Sequence, residues 1–96
     1  MRCTLTALAR LDLRELYLYV ANESVDRADA LRAEIEAATV HIAAMPRIGH
    51  TRPDLTKRPV LFWTVHHYHI IYRPDTDPPR ILRILSAYQD IRRILR

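Results

Sequence analysis

Apolar side chains recur at Ala28, Leu31, Ile35, Ala38 and Ile42, and these steps of three and four line up one face of a helix. Ser24 or Asp26 is placed to cap that helix, and Pro46 stops it near Met45. Upstream, Thr6 can cap a helix from Ala7 to about Asn22 that carries Leu8, Leu11, Leu16, Tyr19 and Val20. The same segment holds Leu13, Tyr17 and Leu18 in other directions, more apolar surface than a single stripe requires. Either this helix is wedged between a sheet and a second helix, or a partner covers the remainder. Asn22-Glu23-Ser24 leaves room only for a turn, so the two helices form an antiparallel hairpin, with Ala28 and Ala38 small enough for close approach.

Past Pro46 the period changes. Val60 to Val65 and Tyr68 to Arg73 are rich in β-branched and aromatic residues and read as strands joined by a tight His66-His67 turn. Pro74 to Pro79 is a second turn leading to a third strand, Arg80 to about Leu85, and Asp90 can cap a last short helix from Ile91 to Arg96. Met1 to Leu5 alternates weakly and reads as a short first strand that holds Cys3 as a small apolar residue. The predicted order is β-α-α-β-β-β-α: an α+β fold, one domain over residues 1–96, with a helical hairpin on one face of a small antiparallel sheet. Pro46 to Pro59 spans fourteen residues with three prolines, Gly49, Arg47, Arg52, Lys57 and Arg58. A connection of that length is either a functional loop or an ordered crossover stiffened by proline.

Composition narrows the function. At 96 residues, with 49% apolar and 27% charged types, the chain is an ordinary globular domain. No apolar run approaches the roughly 20 residues that cross a bilayer, and the N-terminus lacks the stretch and cleavage site of a signal peptide, so a cytoplasmic protein with no membrane partner is expected. The lone Cys3 offers neither an internal disulfide nor a zinc spacing, and the single glycine, Gly49, excludes GxGxxG and P-loop cradles. No cofactor is expected. The net charge of +4 is unevenly spread: residues 46–96 carry ten Arg or Lys against four acids, residues 1–45 five Arg against seven acids. A basic half, with fourteen of fifteen cations arginine, suits a polyanionic partner such as nucleic acid, a nucleoprotein or an acidic protein.

Candidate chemistry is sparse. His50, His66, His67 and His69 fall late in the chain, and on a strand His67 and His69 would face one side and His66 the other. That is two ligands where a metal needs three or four, so no metal site is expected. Metal-free RNA cleavage needs a base, an acid and cations for the phosphorane charge, and His67, His69, Tyr88, Arg73 and Arg83 are the right types. Cys3, Ser24 and Ser86 do not make a nucleophile with a matching histidine. Phe62, Trp63, Tyr68 and Tyr72 could form a stacking platform, but Phe62 and Trp63 face opposite sides, and core packing is the expected use of most.

The arrangement resembles the RelE/ParE superfamily of bacterial toxins, nearest its ParE branch. Carrying the resemblance are Ala9-Arg10-Leu11-Asp12-Leu13-Arg14-Glu15-Leu16-Tyr17 in the first helix, Met45-Pro46-Arg47-Ile48-Gly49 after the second, and Arg52-Pro53-Asp54-Leu55 in the crossover. Tyr68-His69-Ile70-Ile71-Tyr72-Arg73 is similar to the family's central strand and Ile81-Leu82-Arg83-Ile84-Leu85 to its last. Where family members often continue His-Gly-Ala-Arg-Asp, this chain has Ser86-Ala87-Tyr88-Gln89-Asp90.

The resemblance implies the toxin of a type II toxin–antitoxin pair. ParE-like members inhibit DNA gyrase, and RelE-like members cut mRNA in the ribosome. A ParD-like antitoxin would lie over the hairpin and sheet, with Leu8, Leu11, Leu13, Tyr17, Leu18 and Arg52 as its expected contacts, and operator DNA would be reached only through the antitoxin. The favoured expectation is a protein-binding gyrase inhibitor with no catalytic residues of its own, acting through Arg58, Arg73, Arg83, Arg92, Arg93 and Arg96. The alternative is a ribosome-dependent, metal-independent endoribonuclease using Arg73, Arg83 and Tyr88. A third expectation is a toxin that retains only antitoxin binding.

Overall fold

The computed structural model of the chain describes residues 2–96. Its elements run β1 (Thr4–Leu5), α1 (Ala7–Ala21), α2 (Val25–Ala44), β2 (Leu61–Val65), β3 (Tyr68–Arg73), β4 (Arg80–Ser86) and α3 (Ile91–Ile94). The order matches that expected from the sequence, and the Met1 end of the first strand lies outside the described residues.

Both long helices begin where a side chain can take an orphan amide. Thr6 Oγ1 accepts from Ala9 N at 3.1 Å, and Ser24 Oγ accepts from Arg27 N at 3.2 Å. Ala28, Leu31, Ile35, Ala38 and Ile42 are all buried, the face that their spacing predicts for α2. Ala9 and Leu16 of α1 join them, with Leu13 and Val20 packed at the edge, against Ile70, Tyr72, Ile81 and Ile84 of the sheet.

The sheet is mixed rather than antiparallel. Its order is β1-β4-β3-β2, and β1 runs parallel to β4, with Thr4 opposite Arg80 and Leu5 opposite Ile81. The reason lies in the bonds that hold it: Thr4 N donates to Pro79 O at 3.1 Å and Thr6 N to Ile81 O at 3.0 Å, so the chain crosses the start of β4 and turns at once into α1. Cys3, just before β1, is buried, and its thiol donates to Thr39 O at 3.3 Å.

β4 carries one extra residue, because Tyr72 opposes Ile81 while Ile71 opposes Arg83. At this point α1 closes the outer edge of β4 with side chains. Thr6 Oγ1 donates to Leu82 O at 2.7 Å, and Asp12 Oδ2 accepts from Ile84 N at 3.0 Å. Backbone groups that a further strand would have paired are thereby satisfied without one.

A second core lies on the opposite face of the sheet, which the expectation of a hairpin on one face does not include. Val60, Phe62, Ile71, Leu85, Ile91 and Leu95 form it, with Leu55, Leu82 and Ile94 against it. The crossover and α3 thus cover the face that the hairpin leaves, and β3 is buried from Tyr68 through Tyr72. The crossover is ordered, and Tyr72 pins it: its hydroxyl accepts from Gly49 N at 2.9 Å and donates to Pro46 O at 2.7 Å. The lone glycine is there because the chain passes against this ring. A Cβ at Gly49 would lie 2.7 Å from the Tyr72 hydroxyl oxygen and 3.0 Å from Leu61 Cβ.

Candidate interaction surfaces and the Tyr88 cleft

Four of the candidate arginines are already held by protein groups. Arg83 reaches back from β4 to Asp12 of α1, with Nε to Oδ2 at 2.8 Å and Nη2 to Oδ1 at 2.9 Å, and Asp12 is nearly buried. The Asp12 hydrogen bond raises the Arg83 pKa further above its ordinary value. Arg73, at the exposed end of β3, grips Asp75 through Nε at 3.1 Å and Nη2 at 2.7 Å. Arg92 of α3 donates from Nε to Asp54 O at 2.6 Å, and Arg52 holds the Asp54 carboxylate through two bonds of 3.0 and 2.9 Å. These pairs hold the Asp54 and Asp75 carboxyls below the usual carboxylate range, the arginine hydrogen bond being the main cause in each.

This geometry dismantles the ribonuclease trio. Tyr68 opposes Ser86 while Arg73 opposes Arg80, so Arg73 sits at one end of β3 and Tyr88 beyond the other. Five residues of strand rise put them about 17 Å apart along the sheet. Arg83 lies between them, committed to Asp12. His67 lies in the His66-His67 turn that the sequence predicts, so it shares no strand face with His69. Its ring packs 4.2 Å from Tyr68 and 5.3 Å from Tyr88. His69 instead points into the second face, where it shares a 3.0 Å hydrogen bond with Thr64 Oγ1 and meets the Phe62 ring edge-on at 5.8 Å. Burial pushes the His69 pKa down, and the nearby Arg52 charge adds to this.

The remaining candidate arginines gather on one side. Asp54 joins the crossover to α3 through Arg92, and Val60 packs with Ile91 and Leu95, so Arg58 shares a face with Arg92, Arg93 and Arg96. Arg58, Arg93 and Arg96 are exposed and have no ion-pair partner among the described residues.

α1 presents the opposite character. Leu8, Leu11 and Leu18 are about half exposed and Tyr19 is 79% exposed, and the helical repeat gathers them on the arc away from α2. Of the other expected contacts, Leu13 packs against the hairpin core, and the Tyr17 hydroxyl donates to Asp29 Oδ1 at 2.7 Å, tying α1 to α2. Arg52 sits with the crossover cations rather than beside α1.

Between this arc and the end of the sheet lies an open cleft of about 570 Å³, lined among others by Glu15, Tyr19, His67, Tyr68, Tyr88 and Gln89. Tyr88 is 86% exposed at its mouth. On the far side of the hairpin, His66 adopts a left-handed backbone (φ 54°) in the tight turn, and its Nε2 meets Glu34 Oε2 at 2.5 Å. Trp63 is stacked between His41 and His50, with centroids 5.9 and 6.4 Å away. Sequence reasoning missed Asp12 as an anchor and Tyr72 as the crossover pin. Asp12 beside the apolar face of α1 was a visible signal, but its partner lies 71 positions away.

Among the described residues no helix is long and apolar enough to cross a membrane. No curated protein matches the chain significantly. A solved structure described as the chromosomal ParDE TA system from P. aeruginosa shares the fold with a TM-score of 0.68 at 23% identity, over 88% of this chain and 96% of that one. A family model described as the ParE toxin of the type II toxin–antitoxin system parDE matches residues 4–91. The chain therefore belongs to the ParE toxin family of type II toxin–antitoxin systems.

Proposed function

We propose that this ParE-family toxin inhibits DNA gyrase by protein–protein contact, without catalysis of its own, and that a cognate ParD-like antitoxin neutralises it. The observation that carries this reading is the placement of the cations. Arg83 and Arg73 are spent on Asp12 and Asp75 at separate points of the sheet, while Arg58, Arg93 and Arg96 stand free beside α3. A free basic face suits an acidic partner surface or a protein–DNA complex, and it lacks the convergent acid and base that phosphodiester cleavage needs. The antitoxin would cover the exposed arc of α1, where half-exposed leucines at helical spacing await an amphipathic segment. Operator DNA would be bound by the antitoxin, and the site of action would be the cytoplasm, where gyrase works.

The test is a supercoiling assay with purified gyrase, ATP and the antitoxin-free protein. The expected result is loss of supercoiling, weakened at least tenfold by the triple substitution R58E/R93E/R96E. Untouched gyrase together with cleavage of ribosome-bound mRNA would overturn the proposal.

A further inference from the structure

We infer that the cleft beside Tyr88 is a cage for one arginine side chain of the partner that covers α1. The inference rests on the docking reading above and names the chemistry of one contact within it. The walls are aromatic: the His67 ring lies against Tyr68 and faces Tyr88, and Tyr19 also lines the opening. Tyr19 and Tyr88 are 79% and 86% exposed, an unusual cost for two large rings that line the same opening. The lining is also acidic. Asp12 and Glu15 both line the cleft, and Asp12 is balanced by Arg83. Glu15 makes no hydrogen bond or ion pair among the described residues and acts on Arg83 only at longer range, so Asp12, Glu15 and Arg83 together leave one negative charge over in a domain whose net charge is +4.

Aromatic faces with an uncompensated carboxylate select a cation and repel phosphate. A guanidinium fits better than an ammonium, because its flat, weakly hydrated plane stacks on tyrosine while its edge pairs with a carboxylate. Ser86 and Gln89 border the cleft, but their groups are partly used within the loop: Gln89 Oε1 accepts from Ser86 N at 2.7 Å and Ser86 Oγ from Tyr88 N at 3.1 Å. Those bonds fix the loop main chain at Tyr88 beside the opening. The volume of about 570 Å³ admits an arginine side chain together with flanking main chain. Tyr19 belongs both to the exposed arc of α1 and to the cleft lining, so a helix lying along α1 can deliver such a residue from its end.

The probe is Nα-acetyl-arginine methylamide, titrated into the purified full chain while the tyrosine ring resonances are followed by NMR. The corresponding citrulline compound is the neutral isostere. The expected result is saturable shifts of Tyr19 and Tyr88 with the arginine compound and weaker, non-saturating ones with citrulline. Glu15→Gln should raise the dissociation constant about three- to fivefold, and Tyr88→Ala by a similar factor. Both sites are exposed, so the variants keep the fold, which the remaining spectrum verifies. Equal binding of the two compounds, or no shift with either, overturns the cage. The docking reading is judged separately by co-purification with the antitoxin. If Leu11→Glu leaves that complex intact, the docking reading fails whatever the titration gives.

Discussion

Replacing Asp12 by alanine removes the carboxylate on which α1 and β4 meet. Three bonds go together: the two to Arg83 and the one from Ile84 N. A buried amide left unpaired costs about 1–3 kcal/mol. Breaking a fully buried ion pair costs about 3–5 kcal/mol, but Arg83 keeps 22% of its side chain in water and can recover part of its hydration. A net loss of about 2–4 kcal/mol follows, which for a domain of 96 residues lowers the melting temperature by roughly 10–25 °C. Chemical denaturation of Asp12→Ala, Arg83→Ala and the double variant gives the coupling directly. The double variant should be less destabilised than the sum of the singles by at least about 1 kcal/mol. If Asp12→Ala costs less than about 0.5 kcal/mol, or the two changes simply add, then the pair is a surface decoration and Arg83 is available to a target after all.

Other consequences can be checked as simply. Gly49→Ala should destabilise by about 1–3 kcal/mol, since the new Cβ meets the Tyr72 ring and hydroxyl, and the loss should shrink in a Tyr72→Phe background. Burial lowers the His69 pKa from 6.5, so the unfolded chain binds the proton first as pH falls. Stability should therefore be unaffected by this group above about pH 7 and decline as pH drops below 6.5, a decline that His69→Gln should flatten in denaturation curves taken across pH 7 to 5. Leu11→Glu should leave the melting temperature within a few degrees of the parent, since the side chain is 48% exposed, yet abolish rescue of growth by the antitoxin.

The parts of the fold that were legible in the sequence are those written within a few residues. Thr6 and Ser24 cap the helices from three positions away, and the 3-4 spacing of α2 names its buried face outright. The strand-turn-strand of residues 61–73 likewise carries its own signals. What the sequence withheld depends on distant pairings. Two residues of β1 say nothing of direction, and the parallel match to β4 appears only once α1 has folded back. Ile91 and Leu95 are too few to announce a second core. The charges were the least readable: Arg73 and Arg83 look alike in sequence, and only the fold shows that one holds a neighbouring turn and the other a helix. The ParE motifs named the fold, but they did not say that Leu13 and Tyr17 were already occupied within the hairpin.

The continuous burial of β3 bears on how this protein can change over time. Tyr68, Ile70 and Tyr72 belong to the hairpin core, while Ile71 belongs to the core beneath α3. Neighbouring codons on this strand therefore report to opposite sides of the molecule, one under the arc of α1 and the other under the arginines of α3. Drift in the hairpin-facing positions alters the support of the α1 arc proposed to meet the antitoxin, and drift at Ile71 alters that of the basic face. A saturation library scored for folding should show the strand as a band of five nearly invariant positions, flanked by an α1 arc whose changes leave the fold intact. New antitoxin specificities in such a toxin are then expected to arise on α1, where a leucine can be exchanged without disturbing either core.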